Sequence, residues 1–248
     1  MIEKDANLEV GRIIRAGEEA GIRLRALGGL AVYMTCASAV RHPRLKRSYA
    51  DIDLAGLEKD GPRIGKLFLQ LGYKPDQRFN ALHGQTRLIF YNPGDESHVD
   101  IFLNLFQMCH TLDLRNRLLE GYSSLAVVDL LITKLQIVEL NEKDIQDILS
   151  ILLDHAIGTE APGQIDADYL TGLTSNDWGL YTTLSDNLGK INELLADYLP
   201  GDEVELVKQR IEQLLLKMDA SPKSLRWKMR SKVGRRVEWY ELPDEVKR

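Results

Sequence analysis

Cysteine is scarce in this chain of 248 residues: only Cys36 and Cys109 occur, far apart and without CxxC spacing. That argues against a disulfide framework or a zinc module and suits a reducing compartment, with both thiols read as small buried apolar side chains. The five histidines are dispersed without an HxxxH pair, which speaks against a zinc site. No apolar run approaches the span of a bilayer, and the opening Met1-Ile2-Glu3-Lys4-Asp5 is charged rather than leader-like. The expectation is a cytoplasmic protein with no membrane partner. Positive charge is not in excess either. A formal net charge of -5 leaves no global basic field to recruit nucleic acid, although a local patch can still do so. GxSxG and P-loop signatures, internal repeats and low-complexity segments are missing as well. What is present, 44% hydrophobic and 28% charged residues, is the composition of a globular chain able to bury one large core or two smaller ones.

The most informative stretch is Ala50-Asp51-Ile52-Asp53-Leu54. Side chains alternate along a strand, so acids one residue apart with apolar flanks share a face. Crowded carboxylates resist double ionisation, and a site that keeps both as anions usually brings in a cation. Mg²⁺ is the natural candidate, because it takes oxygen ligands, needs few of them from protein, and completes its shell with substrate phosphates. An Asp-x-Asp pair is also common at solvated strand ends, so its surroundings must decide between the two.

Upstream, Leu8, Val10, Ile13, Ile14 and Ala20 recur at helical spacing and predict an opening helix that stops near Gly21. Ile22 to Leu27 alternates with a period of two and runs into Gly28-Gly29, followed by the apolar Leu30 to Met34. This predicts strand, glycine turn and helix. Such a turn lets backbone approach a ligand and offers helix-start N–H groups to phosphate oxygens, but glycine also serves tight turns for steric reasons alone. Arg41, His42, Arg44, Lys46 and Arg47 then form a basic loop just before Ser48. Either the loop is solvated, or it grips a polyphosphate or a nucleic-acid backbone. Residues 62–71 predict a structural helix closed by Gly72. Arg87 to Tyr91 and Val99 to Leu105 read as strands around the turn Asn92-Pro93-Gly94-Asp95. Asp100 sits between Val99 and Ile101, and an unpaired buried anion there would cost several kcal/mol. It is either a third metal ligand on a neighbouring strand or a strand end in water.

Gly28-Gly29, Ser48-x-x-Asp51-Ile52-Asp53-Leu54 and Val99-Asp100-Ile101 together resemble the polymerase-β-like nucleotidyltransferase superfamily, with its glycine turn, hDhDh strand and third carboxylate on a following strand. The likeness covers roughly residues 22–105. It departs in the gap from Gly29 to Asp51, which exceeds the tightest family patterns and implies an insertion or an extended helix plus loop. Asp129 to Leu135, carrying Lys134, followed by Glu142-Lys143-Asp144-Ile145-Gln146-Asp147-Ile148, is similar to the helix pair of AbiEii-type nucleotidyltransferases, which include toxin components of toxin-antitoxin systems. Helical spacing puts Asp144 and Asp147 on one face. A plainer reading of that helix is a surface pair of Lys143 with Asp147.

The resemblance implies an α+β fold, with a mixed β-sheet core flanked by helices and a C-terminal helical bundle. Expected boundaries are 1–122 for the core, 123–220 for the helical domain and 221–248 for a basic tail. Asp51, Asp53 and Asp100 would hold Mg²⁺ (or Mn²⁺), Gly28, Gly29 and Ser48 would cradle phosphate, Lys134 would offset charge developing on transfer, and Asp144 would orient Lys134 or the acceptor. The implied reaction moves a nucleotide from an NTP to a hydroxyl acceptor. An RNA (tRNA) or protein acceptor and a cognate antitoxin would belong to the toxin reading. The alternatives are a small-molecule, antibiotic-type acceptor and a non-catalytic member that binds nucleotide or a partner.

Beyond a linker at 158–163, Leu184, Leu188, Ile191, Leu194, Leu195 and Tyr198 predict one helix and residues 204–218 another. From Lys223 to Arg236 seven cations occur without an acid, with Trp227 among them. That segment either contacts RNA through phosphate and stacking or packs on its own chain.

Overall fold

The computed structural model describes residues 3–49, 51–94, 97–159 and 162–242. Met1 and Ile2 of the opening segment, Ala50 beside the acidic pair, Asp95 of the expected turn, Glu160 and Ala161 of the expected linker, and residues 243–248 of the tail lie outside the described residues.

In chain order the first elements are α1 (Glu3–Glu19), β1 (Arg25–Leu27), α2 (Gly28–Thr35), α3 (Ala37–Arg41), β2 (Ile52–Gly56), α4 (Gly61–Gln70), β3 (Lys74–Pro75), α5 (Gln77–His83), β4 (Arg87–Tyr91), β5 (His98–Leu103), β6 (Leu105–Gln107) and β7 (Thr111–Asp113). They are followed by α6 (Val127–Leu135), α7 (Glu142–Asp154), β8 (Ile157–Gly158), β9 (Ile165–Asp166), α8 (Ala167–Thr174), α9 (Trp178–Tyr198), α10 (Gly201–Ala220) and α11 (Leu225–Val233). This is the expected α+β class, a mixed sheet accompanied by helices. The described backbone divides into two compact units. One holds the residues through Thr35, with Arg47–Phe106 and Leu112–Leu125; the other holds Cys36–Lys46, Gln107–Thr111 and the residues from Ala126 onward.

The first unit is built on a five-stranded sheet in the order β1-β2-β5-β4-β3. β2 and β5 run parallel, while the other pairs are antiparallel. Alternation sends Ile52, Leu54, Leu88, Phe90, Val99 and Ile101 to one face, where all are buried. α4 covers that face, and Phe68 stacks on Phe90 with ring centroids 4.4 Å apart. Burying six such side chains supplies most of the drive for this layer, at about 1.5–3 kcal/mol each. The opposite face carries a row of register partners across four strands: Leu27, Asp53, Asp100 and Ile89.

Several sequence expectations change in detail. Strand pairing begins only at Arg25, whose side chain is buried: its Nε donates to the Leu119 carbonyl at 2.6 Å and its Nη1 to the Leu24 carbonyl at 2.7 Å. The run from Val99 to Leu105 breaks at Asn104, which adopts φ 63° and separates β5 from β6. Its Oδ1 accepts the Glu58 N–H at 3.1 Å, an example of asparagine tolerating left-handed backbone by local bonding. α5 escaped the reading because it buries no residue and so has no apolar period; the Asp76 side chain caps it by accepting the Phe79 N–H at 2.9 Å.

The second unit is mainly helical, with the short parallel pair β8–β9. α7 opens on a capping box between Asn141 and Asp144. Its buried face of Ile148, Leu149, Ile151 and Leu152 accompanies the apolar stripes of α9 (Leu184, Leu188, Ile191, Leu195) and α10 (Val207, Ile211, Leu214, Met218). The basic tail forms α11, and part of its charge is used internally. Lys223 Nζ lies 5.7 Å from the Trp227 ring centre, the Arg230 guanidinium 4.8 Å from that of Trp178, and the Arg235 guanidinium 5.0 Å from that of Trp239. Cations on indole faces are favourable by about 0.5–1 kcal/mol each at exposed sites. Arg235 also pairs with both oxygens of Asp186, at 2.7 and 2.8 Å. Arg226, Lys228, Lys232 and Arg236 are exposed, so the tail still presents charge to solvent. Among the described residues, no helix is long and apolar enough to cross a membrane.

Candidate functional site

The acidic face of the first unit follows from strand register. β2 and β5 run parallel with Asp53 opposite Asp100, and neighbouring strands lie about 4.8 Å apart, so the two carboxylates leave the same side of the sheet next to each other. His98, two residues before Asp100 on β5, shares that face. Its Nε2 lies 3.4 Å from Asp100 Oδ2 and its Nδ1 3.4 Å from Asp51 Oδ1. Asp51 itself precedes β2 and is largely exposed. Strand alternation therefore does not place it; the His98 contact does.

Asp53 meets the glycine turn. Gly28 holds φ +69° at the head of α2, and a Cβ on it would collide with the Asp53 carboxylate. The absence of a side chain is thus what lets the acid lie against the backbone at the start of the helix. A Cβ on Gly29 would meet the Arg47 guanidinium. Arg47 lies over the Tyr49 ring at 3.9 Å and donates to the Ser48 carbonyl at 3.0 Å. Ser48 is exposed. The turn therefore brings together two glycines, a guanidinium and a carboxylate, chemistry that can hold phosphate and a cation side by side.

Asp100 is the most heavily engaged of the acids. It is 5% exposed, and Arg87 grips it with both prongs, Nε to Oδ1 at 3.2 Å and Nη2 to Oδ2 at 2.9 Å. Burial alone pushes its carboxyl pKa up; the hydrogen bonds from His98 and Arg87 reverse this and leave it below the ordinary range. Arg87 in turn lies 4.8 Å from the ring centre of Phe102, its register partner.

Asp51 and Asp53 suit Mg²⁺ or Mn²⁺, hard oxygen donors of the number such an ion takes from protein when phosphates complete its shell. Asp100 does not fit as a third ligand while Arg87 occupies both its oxygens. Among the described residues, no three His, Cys, Asp or Glu side chains are placed to close on one metal ion.

Lys134 and Asp144 belong to the second unit. Lys134 Nζ lies 3.1 Å from Asp144 Oδ1 and 2.9 Å from Asp147 Oδ2, with the Asp147 side chain fully buried. Burial by itself favours the neutral amine, but the two carboxylates outweigh it and hold the ammonium above the usual lysine range. The shared face expected for Asp144 and Asp147 is present, and Lys134 reaches both carboxylates on it. Asp144 also takes part in the Asn141 capping box.

No family model and no curated protein matches the chain. Among solved structures it is similar to the antibiotic-resistance factor ANT(2'')-Ia, at 15% identity over 71% of this chain and 96% of that one, with a TM-score of 0.42; that solution structure is described as revealing substrate-regulated conformation dynamics. It is also similar to an antigenic nucleotidyltransferase-like protein from Paracoccidioides brasiliensis, at 15% identity over 90% of this chain and 96% of that one, with a TM-score of 0.47. At these values the functional reading rests on the residues of the site.

The sequence reading passed over two members of that site, His98 and Arg87, and named Arg47 only as part of the basic loop. His98 was legible from the His98-Val99-Asp100 alternation, which sends both polar side chains to one face. Arg87 needed the β4–β5 register, which no local pattern supplies. Arg47 belonged to the basic loop, but its pairing with Gly29 depends on the fold of residues 42–49.

Proposed function

We propose that this chain is a nucleotidyltransferase that moves a nucleotide from a nucleoside triphosphate to a hydroxyl acceptor, forming a phosphodiester at the α-phosphorus and releasing pyrophosphate. The observation that carries the reading is the register match of Asp53 with Asp100, with Asp53 lodged against Gly28 at the start of α2. Asp51 and Asp53 would hold the divalent cation, which when bound neutralises the triphosphate and polarises the reacting phosphorus. The backbone of Gly28 and Gly29 with the Arg47 guanidinium takes up phosphate oxygens, and the Ser48 hydroxyl adds a donor at the same turn. Asp100, once released by Arg87, would help take the proton of the attacking hydroxyl, with His98 Nε2 3.4 Å away to receive it in turn. Lys134 is assigned the charge that develops on a substrate phosphate, and Asp144, 3.1 Å from its Nζ, the role of orienting it.

The acceptor decides between a toxin acting on RNA or protein, opposed by a cognate antitoxin, and an enzyme acting on a small hydroxylated molecule. Incubating cell extract with α-labelled triphosphates, Mg²⁺ and the protein separates these by the size of the labelled product. Absence of labelled product from all four triphosphates would count against transfer. A non-catalytic reading, in which the fold binds nucleotide alone, is favoured by one observation, the neutralisation of Asp100 by Arg87. Calorimetry decides it: nucleotide affinity that is unchanged on removing Mg²⁺ supports binding alone.

A further inference from the structure

The unit of chemistry around Asp100 is complete without any metal. One carboxylate, nearly excluded from water, has an oxygen for each prong of one guanidinium, and a histidine ring closes the remaining side. A bidentate arginine is among the strongest partners a carboxylate can have, so a divalent cation can claim Asp100 only by displacing it. The side chain of Arg87 is 27% exposed, enough to leave open one way out. It rests on the faces of Phe102 and Phe79, at 4.8 and 5.8 Å from their centres. Aromatic faces hold a guanidinium without fixing its direction through hydrogen bonds, so the head group can swing off the carboxylate and keep part of its packing.

We infer that Arg87 is a positioning residue that occupies Asp100 in competition with a divalent cation, so that the third carboxylate joins the Asp51/Asp53 pair only when the guanidinium lets go. The inference rests on the transferase reading for what the cation does, but not for whether the competition exists. It makes the assembly of the metal site conditional: the acid is pre-placed by strand register and masked by a neighbour on β4. A released guanidinium at this position also becomes a ligand for anionic phosphate oxygens, which links unmasking to arrival of the triphosphate.

Mn²⁺ provides a probe that needs no turnover. Its binding to the full-length protein is measured by calorimetry and by electron paramagnetic resonance, for wild type, Arg87→Gln, Asp100→Asn and the double variant Arg87→Gln/Asp100→Asn. Removing a cation next to the site should tighten Mn²⁺ binding in Arg87→Gln on the order of tenfold or more. The gain should vanish in the double variant, and Asp100→Asn alone should bind Mn²⁺ as wild type does. Arg87→Gln removes the guanidinium from a buried carboxylate and leaves it His98 alone, so it should melt at lower temperature, with the loss restored by Mn²⁺; the double variant should show no such restoration. If Arg87→Gln binds Mn²⁺ no better than wild type, or if its melting temperature does not respond to Mn²⁺, Arg87 is a structural ion-pair partner and the inference is overturned. Transfer activity that depends on Asp53 while Arg87→Gln gains no Mn²⁺ affinity would sink the competition and leave the transferase reading standing.

Discussion

Replacing Lys134 by Met tests whether the second unit depends on its internal charge cluster. In the structure the ammonium lies 2.9 Å from Asp147 and 3.1 Å from Asp144, with Asp147 fully buried and Lys134 itself 15% exposed. Methionine keeps the apolar stem but removes the ammonium that both carboxylates face. Breaking a buried pair from one side costs about 3–5 kcal/mol, and Asp147, with no water to turn to, places the expectation in that range. Removing the second charge as well should recover much of it, so Lys134→Met/Asp147→Asn is expected to be more stable than Lys134→Met alone. The assay is equilibrium urea unfolding followed by tryptophan fluorescence. Trp178, Trp227 and Trp239 are the only tryptophans in the sequence, and all belong to the second unit, so the signal reports that unit. A Lys134→Met transition within about 0.5 kcal/mol of wild type would refute the reasoning and return Lys134 to a role confined to substrate.

Other outcomes follow from the same structure. Gly28→Ala should cost transfer activity through displacement of Asp53, beyond the penalty of about 1–2 kcal/mol for a side chain at positive φ; Gly72→Ala, at φ +92° with nothing within 4 Å of the added carbon, should pay only the backbone part, as paired thermal melts and activity assays would show. Asp100 has a folded pKa below its ordinary value, so its contribution to stability is present above about pH 4 and is lost as pH falls through the lower folded value; urea midpoints measured from neutral to acidic pH should fall less for Asp100→Asn than for wild type. Lys134 has a raised folded pKa, so its contribution is present below about pH 10.4 and is lost as pH rises through the higher folded value, which Lys134→Met should abolish in alkaline unfolding curves. Arg235→Ala breaks a half-exposed pair with Asp186 and should cost under about 1 kcal/mol while changing Trp239 emission.

The elements most legible in the sequence were those whose burial has a period. α1, α4, α7, α9 and α10 each carry an apolar stripe, and the glycine pair that opens α2 announces itself by composition. Elements lacking a stripe were lost: α5 buries nothing, and β3 and β9 are two residues long. The site was legible to the extent that its chemistry lies within one strand. Asp53 and Asp100 stand out as acids in apolar runs, whereas their adjacency depends on a parallel pairing between segments far apart in the chain. Arg87 shows why local reading stops short. A lone buried carboxylate demands a partner, and the demand was visible, but the arginine that answers it is named only by the antiparallel register of β4 on β5. Arg25 makes the same point in reverse: alternation assigns it no burial, yet the distant Leu119 carbonyl, together with that of the neighbouring Leu24, accepts its head group and draws it in.

The most direct test is a side-by-side transfer assay of wild type and Asp53→Asn with α-labelled triphosphates, Mg²⁺ and extract, both proteins matched by melting temperature. Labelled acceptor from wild type and none from Asp53→Asn at equal stability is the predicted result. Equal labelling by the two proteins would contradict the claim that the carboxylate lodged against Gly28 serves nucleotide transfer.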